Sequence, residues 1–147
     1  MSPQNPLHFV FYFAVPLKQA WDGFVSPESN RIIFMGGELE TNLKPGSPIS
    51  WVGTGADGNR TTYVHGEVLQ SEPTKLLQYT FSMGSSDKVS RVTIELSPES
   101  EATKVSVVHD DWDADDDAAY ASCADGWPRI LSRLKTLLET GKTFRPH

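Results

Sequence analysis

The chain has a single cysteine, Cys123, in 147 residues. It therefore forms no intrachain disulfide, and a thiolate zinc site is excluded as well. Positive charge is also scarce: 13 Lys and Arg stand against 19 Asp and Glu, a formal net charge of −6. No stripe of Lys or Arg supplies the footprint that nucleic acid requires. The same deficit disfavours anionic membrane surfaces. Long apolar runs are missing too. Phe9 to Val15 is the longest near the start and is too short to span a bilayer. The first Lys or Arg is Lys18, and no small-x-small cleavage site follows. The expectation is a soluble, intact, cytoplasmic protein without a signal peptide.

What is present fits one domain. Domains most often run about 100–150 residues, and one of that size buries around two thirds of its unfolded surface. We expect a single domain over residues 1–142 and a tail over 143–147. Aromatic residues make up 10% of the chain, with 4 Trp and 7 Phe. That is more flat apolar surface than an ordinary core of this size needs.

Residues 7–15 (LHFVFYFAV) are rich in β-formers, apolar on both parities. That suits a strand covered on both faces or lying against a cavity. Pro16 opens a short helix through Trp21 and Phe24. Ser26-Pro27-Glu28 caps a second, which ends near Met35 before Gly36-Gly37. Six extended runs follow: Glu38–Asn42, Ile49–Thr54, Thr62–Ser71, Leu76–Met83, Val89–Ser97 and Lys104–Asp111. Turn residues separate them, and such spacing predicts an antiparallel meander. Trp127, Ile130, Leu131, Leu134, Leu137 and Leu138 then form one face of an amphipathic helix. Tyr120, Cys123 and Ala124 extend it backwards, while Arg129, Arg133, Lys135 and Glu139 fall mostly off it. Pro128 predicts a kink there or a restart, and Gly141 a stop. The fold class is α+β: a curved antiparallel seven-stranded sheet around a long C-terminal helix, with two short helices after the first strand. A curved sheet cannot touch a straight rod everywhere, so a cavity is expected unless large side chains fill it.

Several features that suggest chemistry have plainer explanations. The run from Asp110 to Asp117 lacks the Gly and the bidentate Glu of a calcium loop. It reads as a solvated loop whose Asp residues cap the last helix. Gly53 to Gly58 lies between strands and carries no phosphate-binding Lys, so it is a hairpin loop. Cys123 falls on the apolar stripe and reads as a small buried hydrophobe. His65 beside Glu67, or His109 beside Asp110, could supply a general base, although no spacing shows that they converge on a substrate. No catalytic residue, metal or cofactor is assigned.

The order of motifs resembles the helix-grip superfamily, which includes START domains and the birch-pollen-allergen fold. Within it the chain most resembles the family named after the activator of the Hsp90 ATPase. The resemblance rests on Val15-Pro16 with Ala20-Trp21, and on Leu43-Lys44-Pro45-Gly46 leading into Trp51. It continues through Gly66-Glu67-Val68-Leu69, Leu76-Leu77-Gln78-Tyr79-Thr80-Phe81 and Val92-Thr93-Ile94-Glu95-Leu96. It ends on Thr103-Lys104-Val105 and Gly126-Trp127 with Ile130-Leu131 and Leu134-Lys135. The chain departs from the family at Ile33-Phe34-Met35, where members often carry a tryptophan pair, and at Gln70, where a glutamate is usual. The resemblance implies a cavity for small hydrophobic molecules. It also admits a polyketide cyclase or dehydratase, a self-resistance protein or an Hsp90-type chaperone interaction. Fold alone does not choose among these.

On this fold the expected ligand-binding set is Trp51, Tyr63, His65, Tyr79, Phe81, His109, Trp112, Tyr120 and Trp127. Apolar and aromatic walls with a few polar groups are the usual make-up of a pocket. The same rings could instead fill the space as core. The expected partner is a small hydrophobic molecule, with the protein a monomer or weak homodimer and more a binder than an enzyme.

Overall fold

The computed structural model describes residues 4–34, 36–55 and 57–144. The elements run β1 (Leu7–Phe13), α1 (Leu17–Val25), α2 (Pro27–Ile33), β2 (Glu38–Thr41), β3 (Pro48–Thr54), β4 (Arg60–Glu72), β5 (Leu76–Met83), β6 (Ser90–Glu99), β7 (Ala102–Asp110) and α3 (Asp117–Thr140). One seven-stranded sheet has the order β1-β7-β6-β5-β4-β3-β2, with every neighbouring pair antiparallel. The curved sheet grips α3, so the architecture is a helix grip. The meander follows from sequence: each turn is too short for a crossover, so consecutive strands must pair.

The strands bury alternate residues. On β7 these are Thr103, Val105, Val107 and His109; on β6 they are Ser90, Val92, Ile94 and Leu96. From the other side α3 supplies Ala119, Cys123, Trp127, Leu131 and Leu134. The helix runs unbroken through Pro128 rather than restarting there. A proline inside a helix costs about 3 kcal/mol. Buried residues on both sides of it offset that cost. Gly141, at φ 83°, ends the helix in the left-handed conformation that suits glycine.

Some local expectations are corrected. Strand β1 is covered on one face only. Phe13 is buried, but Val10 and Tyr12 on the other parity are 42% and 49% exposed. As an edge strand beside β7 it carries apolar residues on both parities without a second layer to receive them. Asp116 occupies the N-cap of α3, yet its side chain makes no capping hydrogen bond. The Asp113 carboxylate instead accepts from the Asp115 N–H at 2.9 Å and shapes the preceding loop. Asp117 remains in the first turn, where the helix dipole favours a negative charge. Strand β6 continues past Pro98 to Glu99, because Pro98 lies at the strand's end beside the Ser100–Glu101 turn.

Three contacts fix the helices that frame the space under α3. Ser26 Oγ accepts from the Ser29 N–H at 3.3 Å and starts α2. Buried Asn30 donates to the carbonyls of Phe24 and Ser26 and accepts from the Trp51 indole at 2.9 Å. One amide thus ties α1, α2 and β3 together. Gly23 of α1 meets the far half of α3 so closely that an added Cβ would lie 2.8 Å from Leu138 Cδ1.

Candidate functional site

A cavity of about 540 Å³ lies between α3, the end of α2 and strands β4 and β5. From α2 and the residue after it come Ile33 and Phe34; from the strands, Tyr63, Val64, Phe81 and Met83. The helix side carries Cys123, Trp127 and Ile130 with polar Ser122, Asp125, Arg129 and Arg133. The wall is chiefly apolar, and the size lies within the range of about 300–1,000 Å³ common for small-molecule sites.

Tyr63 reaches this wall because of a β-bulge. Trp51 pairs with Val64, but Val52 pairs with Thr62, so Tyr63 is the extra residue. A bulge re-aims side chains. The Tyr63 ring lies over Gly37 and Gly53, where a Cβ would come within 3.0 and 2.7 Å of it. Deeper in β4, a Cβ on Gly66 would lie 1.8 Å from the Thr80 carbonyl oxygen. Only glycine permits that approach of β4 to β5.

Behind Phe81 and Trp127 sits a filled aromatic cluster. His109 is 0% exposed. Its ring stacks on Trp112 at 4.0 Å and meets the Phe81 ring edge-on at 4.7 Å. Tyr120 packs edge-on against Trp112 at 5.1 Å. The Trp127 indole donates to His109 Nδ1 at 3.0 Å. An indole N–H only donates, so Nδ1 is the acceptor and Nε2 carries the proton. Nε2 then donates to Ser90 Oγ at 2.7 Å, and Ser90 Oγ donates to the Phe81 carbonyl at 3.4 Å. The Trp112 indole donates to the His109 carbonyl at 2.8 Å. Burial lowers the His109 pKa to about 3, against a smaller opposing effect of Asp110. The imidazole is neutral, with both nitrogens engaged.

On the opposite flank, Trp51 and Tyr79 are core residues with ring centroids 5.3 Å apart, and Phe34 leans on Trp51 at 5.5 Å. The expected set is therefore distributed as follows. Tyr63, Phe81 and Trp127 line the cavity. His109, Trp112 and Tyr120 form the cluster behind one wall, and Trp51 and Tyr79 pack behind another. His65 lies on the outer face of the sheet, paired with Ser50 and Ser82, on the parity opposite Val64. Asp110 turns away from His109 and binds Arg91 through two contacts of 2.9 Å on that outer face. Neighbouring residues on a strand point to opposite faces, so a His109–Asp110 pair was barred by periodicity alone.

Sequence reasoning missed Arg133. It falls off the apolar stripe, yet it is only 6% exposed. The end of α2 covers it, and Nη1 donates to the Ile33 carbonyl at 3.1 Å. Phe144 lies over the guanidinium at 5.5 Å, and Thr143 Oγ1 donates to the Arg133 carbonyl at 2.8 Å. Burial, and next the nearby Arg129, lower the Arg133 pKa. Ile33, Phe34, Met83 and Ile130 were also missed, being indistinguishable in sequence from core residues. Burial, with a smaller contribution from Asp116, pushes the Cys123 thiol up to about 12. It faces the cavity as an un-ionised thiol, without the thiolate character of a nucleophile. Among the described residues no group of three or more His, Cys, Asp or Glu side chains could hold a metal ion, and no helix is long and apolar enough to cross a membrane.

The arrangement has counterparts among known structures. Protein MLL2253 from Mesorhizobium loti superposes with a TM-score of 0.75 at 22% identity, covering 92% of this chain and 97% of that one. PFC0360w, an HSP90 activator from Plasmodium falciparum, gives 0.74 at 18% identity, covering 91% and 96%. DynU16, a protein of the dynemicin biosynthetic locus, gives 0.77 at 24% identity, covering 98% of this chain and 51% of that one. At these identities the likeness is one of fold. No curated protein sequence matches the chain. The sequence profile of Activator of Hsp90 ATPase homolog 1-like proteins matches residues 14–139, and the chain belongs to that family.

Proposed function

We propose that the protein binds a small hydrophobic or aromatic molecule in the cavity beside α3 between Ser122 and Arg133. The observation that carries this reading is the apolar wall formed by Ile33, Phe34, Tyr63, Phe81, Met83, Trp127 and Ile130 around about 540 Å³. Rings that the fold could have used to close this space are engaged elsewhere, in the His109 cluster and the Trp51–Tyr79 pair. In this reading one domain over residues 1–142 acts in the cytoplasm, as a monomer or weak homodimer.

The geometry favours a binder over a cyclase or dehydratase. Both His109 nitrogens are engaged in the core, and His65 is on the other face. Among the described residues Asp125 is the cavity's one carboxylate, and Arg129 pairs with it at 3.3 Å. The test is an NMR titration with a panel of flat hydrophobic compounds, following the methyl groups of Ile33, Met83 and Ile130. Saturable shifts at these methyls support the reading. No shift with any compound refutes it.

A further inference from the structure

The charges on the cavity wall are unequally matched. Arg129 and Arg133 stand one helical turn apart on α3 and both line the cavity. Arg129 has Asp125 as its ion-pair partner. Arg133 is the more deeply buried of the two, and among the described residues it has no carboxylate partner. One of its donors, Nη1, meets the Ile33 carbonyl. Its Nε is buried and has no hydrogen-bond partner among the described residues. Arginine is almost never so buried without a counter-charge, because the guanidinium loses hydration that nothing replaces. Capping α2 accounts for Nη1 and leaves Nε unmatched among the described residues. Phe144, which lies over it, is itself 48% exposed. A guanidinium also presents a planar fork of donors that matches a carboxylate.

We propose that the cavity takes a flat hydrophobic acid whose ring system lies along Phe81, Met83 and Trp127 and whose carboxylate docks on the buried guanidinium of Arg133, at its unmatched Nε. This rests on the binding reading above and adds the class of ligand. The apolar wall holds the body of the ligand, and Arg133 sets its orientation. Neutral molecules of the same shape fill the same space and leave Nε unmatched.

The experiment uses the whole chain at neutral pH and a matched pair of probes, 2-naphthoate and 2-naphthalenemethanol. Affinities are measured by titration, and the Arg133 Nε–H resonance is followed by NMR. A charge-assisted hydrogen bond predicts that the acid binds about tenfold tighter than the alcohol. The Nε–H resonance shifts with the acid and stays in place with the alcohol. In Arg133→Gln the two probes bind comparably, and in Arg91→Gln, on the outer face of the sheet, the preference for the acid persists. The wild-type comparison stands even where Arg133→Gln fails to fold. Equal binding of both probes with an unmoved Nε–H overturns this proposal and leaves the cavity reading intact. An acid preference that survives in Arg133→Gln overturns it too. Failure of both probes to bind overturns both.

Discussion

Helix α3 lies over two unlike surroundings. One face is packed tight: Leu131 and Leu134 are fully buried, and Gly23 of α1 approaches Leu134 and Leu138 at the limit of close contact. The backbone at the end of β1 joins in, with Lys135 Nζ donating to the Tyr12 carbonyl and the Ala14 N–H donating to Glu139. Another face, between Ser122 and Arg133, borders the cavity beside the bulged region of β4 and the end of β5, and there Gly126 has no atom within 4 Å of where a Cβ would stand. One rod is thus packed on one face and borders a space on another. The bulge at Tyr63 contributes to the difference, because it turns that ring toward the space.

Adjacent residues separate the two surroundings most sharply. Leu131→Ala removes a fully buried side chain from the packed core and should cost about 2–5 kcal/mol. Ile130→Ala, one position earlier on the cavity wall, should cost roughly 1 kcal/mol, since its side chain already borders empty space. Chemical denaturation of both variants checks this, and equal losses would mean that the helix has no open side. A pair of glycines follows. Gly66→Ala drives a methyl into the Thr80 carbonyl and should destabilise by about 1–3 kcal/mol or more.

Acid tests the filled cluster. His109 is neutral in the fold and has a model-peptide pKa near 6.5 when unfolded, so the unfolded chain binds the extra proton as pH falls. Stability conferred by the neutral ring is complete above 6.5 and is lost towards about 3, by about 1 kcal/mol per pH unit. Thermal melts between pH 7 and 4 should show this slope, and it should flatten in His109→Gln. The smallest effect is Gly126→Ala, which should stabilise by up to about 1 kcal/mol through helix propensity, with open space for its methyl.

The parts legible in sequence are those governed by simple periodicity. Period-2 alternation placed Val105, Val107 and His109 on the inner face of β7, and the stripe through Trp127, Leu131 and Leu134 placed α3. What escaped was set by events that break a period. The bulge decides that Tyr63 faces the cavity, and no residue type announces it. Arg133 is buried by the end of α2 and by Phe144, neither of which the helix's own pattern contains. His109 shows a third kind of gap. Its inward parity was legible, but the indole that fixes its tautomer comes from α3, 18 residues later.

The most direct test of the account is to close the open face. Gly126→Phe places a ring where nothing now stands within 4 Å of the Cβ position. Binding of 2-naphthalenemethanol is measured in both proteins by calorimetric titration. The account predicts saturable binding to the wild type and its loss in Gly126→Phe, with the variant's melting temperature maintained. Undiminished binding in a folded Gly126→Phe would contradict it, because the ligand would then lie somewhere other than in the cavity that Gly126 borders.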